Sequence, residues 1–261
     1  MDTQAYLQRI NYQGPLAPTA PSLRELHVAH MLAVPFENLD IHLGCPVVLE
    51  DSALFNKIVA RRRGGFCYEL NGLFAALLCA LGFDVVMLSA GVAKQEGGFG
   101  PDFDHMALLV TLEHRWLADV GFGDSFMEPL WLDEMGEQRQ DGWFYRIVRD
   151  EPYFILARQS DAGERQTLYR FTLQAYQYPD FAEMCRFQET SPQSYFTRGR
   201  ICTRPTSEGR VTLSEMRLIS TLKDGRREER WLANEEEYSA TLREQFGINA
   251  WPTNERCDTG G

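Results

Sequence analysis

The chain has 261 residues, of which 44% are hydrophobic and 24% charged, a composition typical of a folded globular protein. Its net charge of −11 disfavours a nucleic-acid-binding function, because neutralising phosphates requires clustered lysine and arginine. The opening MDTQAYLQRINYQG lacks the pattern of a secretory signal, and the longest apolar run, GLFAALLCALGF, is too short to span a bilayer. We therefore expect a cytoplasmic protein without a membrane segment.

The first third of the chain has helical periodicity. In PSLRELHVAHMLAV the apolar residues recur at helical spacing up to Pro35, and Ser22 with Glu25 matches a capping box. DSALFNKIVARRR predicts a second helix that ends at a Gly-Gly pair, and ELNGLFAALLCAL predicts a third. These patterns indicate a helical bundle.

After residue 83 the pattern changes to short β-branched and aromatic segments separated by Gly, Asp or Pro. These segments predict an antiparallel sheet or small barrel; they are DVVMLSAGVA, HMALLVTLE, RWLADVGF, WFYRIVRD, PYFILARQ and TLYRFTLQAY. Further on, RICTRPT and RVTLSEMRLISTLKDGRREERWLA predict strands with a hairpin at Asp224-Gly225, and NEEEYSATLREQFG predicts a closing helix. The fold class is therefore α+β.

The six cysteines are scattered, with no CxxC pair and no Cys/His cluster, so we predict no metal site and free thiols. Cys67 stands out because RRRGGFCYELNGLF places it between two glycines and a helix. Unpaired N–H groups and the helix dipole at such a position lower the pKa of a thiol. The two glycines would allow a substrate to approach closely. Locally, a reactive Cys67 and an inert core thiol both remain open.

A reactive thiolate needs an imidazole partner, and the imidazole needs an acceptor that orients it. Of the five histidines, His27 and His30 fall in the first helix, where packing or surface roles are expected. His105 opens the apolar strand HMALLVTLE. Asp119 interrupts WLADVGF, where a carboxylate is costly unless something pairs with it. Asp119 therefore either bonds to backbone at a sheet edge or holds His105.

The turn between these two strands decides between those alternatives. A two-residue turn pairs His105 with Phe122 and puts His105 and Asp119 on opposite faces of the sheet. A three-residue loop centred on Glu113 puts them on the same face. A triad of Cys67, His105 and Asp119 therefore requires the odd loop or a bulge.

The motifs RGGFCYELNGLF and ADVGFG, with VPFENL and SPQSYF elsewhere, resemble those of the arylamine N-acetyltransferases over most of the chain. The resemblance implies a helical bundle over residues 1–83, a β-barrel over 84–188 and an α/β lid over 189–261. The helical bundle and the β-barrel would together form a cysteine-protease-like core.

The resemblance also implies ping-pong acetyl transfer with acetyl-CoA as co-substrate and no permanent cofactor. Cys67 would take the acetyl group as a thioester and pass it to an arylamine, arylhydrazine or N-hydroxyarylamine. Cys67 and His105 would rest as a thiolate–imidazolium pair, His105 would then act as general base, and Asp119 would orient its ring.

Further site residues come from the same resemblance. Phe36, Phe122 and Phe196 match positions that line the acceptor pocket. Gly121 and Gly123 match a turn along which the pantetheine and pyrophosphate of the coenzyme pass. Arg63 and Glu37 are expected to form a structural ion pair.

Three carboxylates depart from the pattern of the family. Asp102 and Asp104 precede His105 where bacterial relatives often carry uncharged residues, and Asp124 follows the GFG turn. Carboxylates beside an anionic coenzyme are unexpected, so they leave its path open.

Two other classes of function remain alternatives. The same triad would serve an amide synthase or a thioester or amide hydrolase, and an idle triad would leave a binding module for aromatic ligands. The sequence does not decide the natural acceptor amine or whether the protein is a monomer or a homodimer.

Overall fold

The computed structural model describes residues 1–249. The first group of elements is mostly helical and confirms the predicted helices. A π-helical turn, Asn56–Ala60, continues the fourth of its helices. The elements are α1 (Thr3–Arg9), α2 (Ala20–Ala33), β1 (Phe36–Glu37), α3 (Leu39–Leu43), α4 (Asp51–Phe55) and α5 (Cys67–Ala80).

The start of α2 differs from the predicted one. Thr19 is the N-cap, and its hydroxyl accepts a hydrogen bond from the N–H of Ser22. Pro21 follows in the first turn, where its missing N–H costs no helical hydrogen bond. The capping box predicted at Ser22 and Glu25 is therefore wrong, because the helix already includes Ser22.

The second group is an eight-stranded sheet in the order β5-β4-β3-β2-β9-β8-β7-β6. All neighbouring strands in it are antiparallel, as predicted. Its strands are β2 (Asp84–Val92), β3 (His105–Thr111), β4 (Arg115–Ala118), β5 (Leu130–Trp131), β6 (Gln138–Gln140), β7 (Trp143–Asp150), β8 (Tyr153–Ser160) and β9 (Arg165–Tyr176).

Glutamine side chains connect the two edges of this sheet. Gln138 of β6 accepts from the N–H of Trp131 at 2.8 Å and donates to its carbonyl at 2.9 Å. Gln140 accepts from the N–H groups of Met127 and Glu128, each at 2.9 Å. Side-chain amides thus replace a strand ladder between β5 and β6, and the sheet is nearly closed and barrel-like.

The third group holds a five-stranded sheet in the order β1-β10-β11-β12-β13. Because β1 pairs with β10, Phe36 lies opposite Thr203 and belongs to this sheet. The first turn of the last helix is acidic, as predicted, and Asn234 caps it. The elements are α6 (Ala182–Thr190), β10 (Ile201–Thr206), β11 (Gly209–Ser214), β12 (Arg217–Leu222), β13 (Arg227–Trp231) and α7 (Glu235–Phe246).

The hairpin between β3 and β4 meets the condition set by the sequence. Thr111 pairs with Arg115, so the connecting loop has three residues and is centred on Glu113. Leu108 pairs with Ala118, which places Asp119 next to Ala107, two positions from His105. Residues two apart share a face of a strand, so His105 and Asp119 lie on the same face.

A buried ionic network fixes the segments before Cys67. Arg63 contacts Glu37 at 2.9 Å and Asp40 at 2.8 Å, which confirms the predicted ion pair with Glu37. Lys57 contacts Asp40 at 2.8 Å and Glu69 at 2.7 Å. Burial raises the pKa of Asp40, but the charges of Lys57 and Arg63 outweigh this effect and lower the pKa to about 2. The network joins β1, α3, α4 and the start of α5.

Four cysteines of the described part are free thiols, namely Cys67, Cys79, Cys185 and Cys202. Cys45 is disulfide-bonded, so the prediction that all six thiols are free is wrong for this residue. Cys257, expected to be an exposed tail residue, lies outside the described residues. In residues 1–249 no helix is long and apolar enough to cross a membrane.

Candidate active site

Cys67 is the first residue of α5, as the Gly-Gly break predicted. Its side chain is buried, with 3% of its surface exposed. Glu69 stabilises this helix start, because its carboxylate accepts from the N–H of Phe66 at 3.1 Å. The preceding backbone is fixed to β1, since the N–H of Glu37 donates to the carbonyl of Gly65 at 2.9 Å.

The two glycines before Cys67 make room for the chain itself rather than for a substrate. A β-carbon at Gly64 would lie 2.0 Å from the carbonyl oxygen of Pro35. A β-carbon at Gly65 would lie 2.7 Å from a carboxylate oxygen of Glu69. The predicted clearance for a substrate is therefore wrong: Glu69 folds back onto Gly65 from within the same motif, and Pro35 reaches Gly64 from a distant segment.

His105 and Asp119 are joined by a buried hydrogen bond of 2.8 Å between Nε2 and Oδ2. The other carboxylate oxygen accepts from Asn71 at 2.9 Å and from the N–H of Gly121 at 3.0 Å. Burial raises the pKa of Asp119, but His105, Asn71 and Gly121 outweigh it and lower the pKa below its usual value. Asp119 is thus an ionised acceptor, and the imidazole has Nδ1 left for another partner.

Cys67 contacts the backbone of two residues that are close in sequence to His105 and Asp119. The N–H of Met106, next to His105, donates a hydrogen bond to the thiol. A β-carbon on Gly121, two residues after Asp119, would lie 2.7 Å from the α-carbon of Cys67. The structure therefore brings Cys67, His105 and Asp119 together.

The pKa of Cys67 shifts in the direction opposite to the predicted one. Burial raises the pKa of the thiol well above its usual value, and the charges of Asp119 and Asp104 add to this effect. The hydrogen bond from Met106 lowers the pKa but does not outweigh burial. The helix start was visible in the sequence, whereas the segments that bury the thiol come from distant parts of the chain. This shift counts against a thiolate, and the thiolate–imidazolium pair at rest stays a prediction.

The three predicted pocket phenylalanines lie in two places. The rings of Phe36 and Phe196 are 6.0 Å apart, and Phe196 also contacts Phe66, the neighbour of Cys67, at 5.5 Å. Phe122 lies edge-on to His105 at 5.2 Å. Tyr169, which the sequence reasoning did not single out, contacts both of these rings at 5.1 and 5.3 Å. Aromatic side chains thus contact the imidazole of His105 and the ring of Phe66, the residue before Cys67.

Gly121 and Gly123 each have a structural requirement for glycine. Gly121 packs against the start of α5, as described above. Gly123 has φ +87°, which side chains rarely adopt, and its α-carbon faces the ring of Phe36. The turn between them brings Phe122 to His105.

Asp124 begins a charged cluster beside this turn. Its carboxylate contacts Arg158 at 2.8 Å and Arg210 at 3.1 Å, and Arg210 also bonds to the carbonyl of Gly123. Arg158 lies over the ring of Trp143 at 4.1 Å. These residues line an open cavity of about 610 Å³ between the two sheets. Asp124 is therefore neutralised by two arginines, and the cluster carries a surplus positive charge.

Asp104 faces α6 rather than this cavity. Gln188 donates to one oxygen of Asp104 at 2.7 Å and accepts from the hydroxyl of Ser194 at 2.7 Å. Ser194 in turn accepts from the N–H of Phe196 at 3.1 Å. The unexpected carboxylate before His105 thus belongs to a hydrogen-bonded chain that ends at a predicted pocket residue. Asp102 has no role in this chain.

Two polar residues were missed by sequence reasoning. Asn71, one turn after Cys67, donates to Asp119 and accepts from the N–H of Val120 at 2.9 Å. Its spacing from Cys67 was a signal, because residues four apart share a helix face. His27 accepts from the N–H of Asp119, and nothing in its helical pattern indicated this contact.

Residues 19–253 match a family model described as N-acetyltransferase. The arylamine N-acetyltransferase of Escherichia coli is 32% identical, over 93% of this chain and 87% of the relative. The proansamycin X synthase of Amycolatopsis mediterranei is 33% identical, over 92% and 95%. The solved structure of Mycobacterium marinum arylamine N-acetyltransferase in complex with CoA has a TM-score of 0.88 at 34% identity, covering 95% of this chain and 93% of that one.

These comparisons identify the protein as an acyltransferase enzyme of the N-acetyltransferase class. Within that class, the chain belongs to the arylamine N-acetyltransferase family. The resemblance inferred from the cysteine motif is confirmed, and with it the expectation of an enzyme.

Proposed function

We propose that the protein transfers acetyl groups from acetyl-CoA to arylamines by a ping-pong mechanism, with Cys67, His105 and Asp119 as the catalytic residues. The observation that carries this proposal is the buried 2.8 Å bond from His105 to Asp119 at the start of the helix that holds Cys67. An oriented imidazole beside a thiol is the arrangement that nucleophilic acyl transfer requires.

In the first half-reaction the thiol sulfur of Cys67 attacks the thioester carbonyl of acetyl-CoA. Burial favours the protonated thiol, and its proton passes to Nδ1 of His105 as the new carbon–sulfur bond forms. Asp119 stabilises the resulting imidazolium through Nε2. The bond to the coenzyme sulfur then breaks, and that sulfur leaves with the proton from His105.

In the second half-reaction the amine nitrogen attacks the acetyl carbonyl on Cys67. His105 removes a proton from the nitrogen, the carbon–sulfur bond breaks, and the thiol of Cys67 is restored with that proton. Arylamines, arylhydrazines and N-hydroxyarylamines share a flat apolar ring. Phe36, Phe122 and Phe196 offer aromatic surfaces for such a ring near the reacting atoms.

For acetyl-CoA we propose an approach along the turn of Gly121 and Gly123, with the phosphates near Arg158 and Arg210. The surplus positive charge of the cluster of Asp124, Arg158 and Arg210 supports this path, since guanidinium groups bind phosphates well, whereas the whole lining of the cavity holds five carboxylates and three cations. The CoA complex of the Mycobacterium marinum relative supports acetyl-CoA as the co-substrate. Asp104 does not line this cavity and faces α6 instead, where Gln188 donates to its carboxylate.

The division into a helical bundle (1–83), a β-barrel (84–188) and an α/β lid (189–261) is part of the proposal, and its second border falls within α6. A cysteine-protease-like core, a cytoplasmic location and a homodimer also stay predictions.

Initial-velocity measurements test the proposed order of steps. With acetyl-CoA and an arylamine varied together, a ping-pong mechanism gives parallel double-reciprocal lines, whereas intersecting lines would contradict a free acetyl-enzyme.

A synthase reaction on the same residues is the second candidate, because a relative that is 33% identical is named a synthase rather than an acetyltransferase. Failure to transfer acetyl to any arylamine, while Cys67 still accepts larger acyl groups from thioesters, would favour it. Release of CoA without an acceptor amine would instead indicate a hydrolase.

A further inference from the structure

His27 lies within α2, and its imidazole is fully buried. Nδ1 is 2.8 Å from the carbonyl oxygen of Met127, and Nε2 is 3.1 Å from the backbone nitrogen of Asp119. A carbonyl oxygen only accepts and a peptide N–H only donates. Nδ1 therefore carries the proton and Nε2 is the acceptor, so the contacts fix one neutral tautomer.

Neighbouring rings hold the imidazole in this orientation. Phe126 stacks on it at 5.7 Å, and Phe74 of α5 contacts its edge at 5.9 Å. Burial lowers the pKa of His27 to about 4, although Met127 and Asp119 oppose this shift. The ring therefore stays neutral around pH 7, and both hydrogen bonds persist.

The two residues bonded by His27, Asp119 and Met127, delimit most of the connection between β4 and β5, a segment that we call loop 119–127. This loop carries Gly121, Phe122 and Gly123. The ladder between β3 and β4 ends at the pair of Leu108 and Ala118, so the N–H of Asp119 has no strand partner. His27 supplies that partner, and its other nitrogen binds the far end of the loop.

We propose that His27 is a positioning residue for acyl transfer. Its imidazole joins Asp119 and Met127 of loop 119–127 by two hydrogen bonds and thereby aligns Asp119 with His105. It acts through the backbone and touches neither substrate nor the reacting atoms. The inference rests on the proposed roles of Asp119 and His105. It replaces the expectation that His27 only packs in the core or lies at the surface.

Two amide variants separate the two hydrogen bonds of the ring. The amide of His27→Asn lies near the position of Nδ1, so it can still donate to Met127 but leaves the N–H of Asp119 without an acceptor. His27→Gln is one methylene longer, and its amide oxygen reaches the position of Nε2 and can still accept from Asp119. His27→Leu removes both bonds at similar volume.

Two readouts report on the alignment of Asp119. The first is the single-turnover rate of Cys67 acetylation at saturating acetyl-CoA, which we expect to fall about tenfold or more in His27→Asn and His27→Leu and far less in His27→Gln. The second is the pH profile of Cys67 alkylation. In His27→Asn and His27→Leu it should move to higher pH, because the imidazole that assists the thiol is misaligned, whereas His27→Gln should keep the wild-type profile.

Leu7→Ala, a buried change in α1, is the control for lost stability. It should lower the unfolding temperature and leave both readouts unchanged. If the Asn and Leu variants also lose only thermal stability, or if Gln behaves like Asn, the proposal is wrong. Should His27→Asn fail to fold, the comparison of Leu with Gln decides.

Failure of this inference can be told apart from failure of the proposed function. If wild-type protein takes no acetyl group from acetyl-CoA, the proposed function fails. The alkylation profiles need no acetyl-CoA, so they still decide whether His27 aligns the group that assists Cys67.

Discussion

Asp119 and Asp124 lie on either side of the GFG turn, and the protein holds their carboxylates in opposite ways. Asp119 is fully buried and accepts from an imidazole, a side-chain amide and a backbone N–H. Asp124 stands at the rim of an open cavity between two arginines. Three hydrogen-bond donors fix the geometry of the first carboxylate, which suits an orienting residue. The arginines neutralise the second one and leave positive charge, which suits the binding of an anion.

The largest expected effect tests the buried site, in which Asp119 orients His105 beside Cys67. Cys67→Ala removes the proposed nucleophile and should lower the rate of acetyl transfer at least ~10³-fold. Cys79→Ala is the matched control, because Cys79 is an exposed thiol on the same helix. Steady-state assays of CoA release with an arylamine compare the two variants. Substantial activity in Cys67→Ala would refute the assignment of the nucleophile.

The next effect concerns the pH dependence of Cys67. Burial raises the pKa of the thiol, so the thiolate is lost as pH falls below that raised value. An imidazole beside the thiol can take up its proton and favour the thiolate, which works against this shift. His105→Gln removes that partner, so the midpoint of Cys67 alkylation by iodoacetamide should rise by about one pH unit or more relative to wild type. Superimposable profiles would mean that His105 does not interact with the thiol.

The arginines that neutralise Asp124 are tested by measuring the KM for acetyl-CoA. Arg158→Gln and Arg210→Gln should each raise the KM for acetyl-CoA by about tenfold, because each removes a charge-assisted contact to a phosphate. The KM for the arylamine should stay unchanged. Arg149→Gln, which alters an exposed ion pair with Glu151, is the control. An unchanged KM for acetyl-CoA in both cavity variants would exclude the proposed path.

The smallest expected effect concerns Phe196, one of the aromatic residues proposed to bind the acceptor amine. Gln188→Leu interrupts the chain from Asp104 to Ser194, so the KM for the arylamine should rise by about three- to tenfold. The single-turnover rate of Cys67 acetylation should remain near the wild-type value, because the change lies away from the reacting atoms. Equal losses in both half-reactions would show that this chain supports the triad rather than the acceptor pocket.

Local patterns predicted the parts of the site that lie on regular elements. Cys67 follows a helix break visible in seven consecutive letters, RRRGGFC, and the pleat of the two strands showed which loop would put His105 and Asp119 on one face. The structure has that loop. Six of the eight strands of the barrel-like sheet were likewise marked by β-branched and aromatic runs, whereas the short strands β5 and β6 were not predicted.

The supporting contacts could not be predicted because their partners are distant in sequence. Asn71 and Asp119 are 48 residues apart, and His27 and Asp119 are 92 apart. The same limit explains the error about the pKa of Cys67. The helix start is a local feature, whereas burial depends on segments that only the folded chain brings together. The two-residue strand β1 was missed for the same reason, since its partner lies in β10.

The central claim is that Cys67 carries the acetyl group between the two substrates. Intact-mass spectrometry of wild-type protein mixed with acetyl-CoA alone tests it most directly, with peptide mapping to locate the adduct. We predict one acetyl group per chain on Cys67, which disappears with formation of the acetylated product when an arylamine is added. A protein that stays unmodified while it still acetylates the amine would contradict the account.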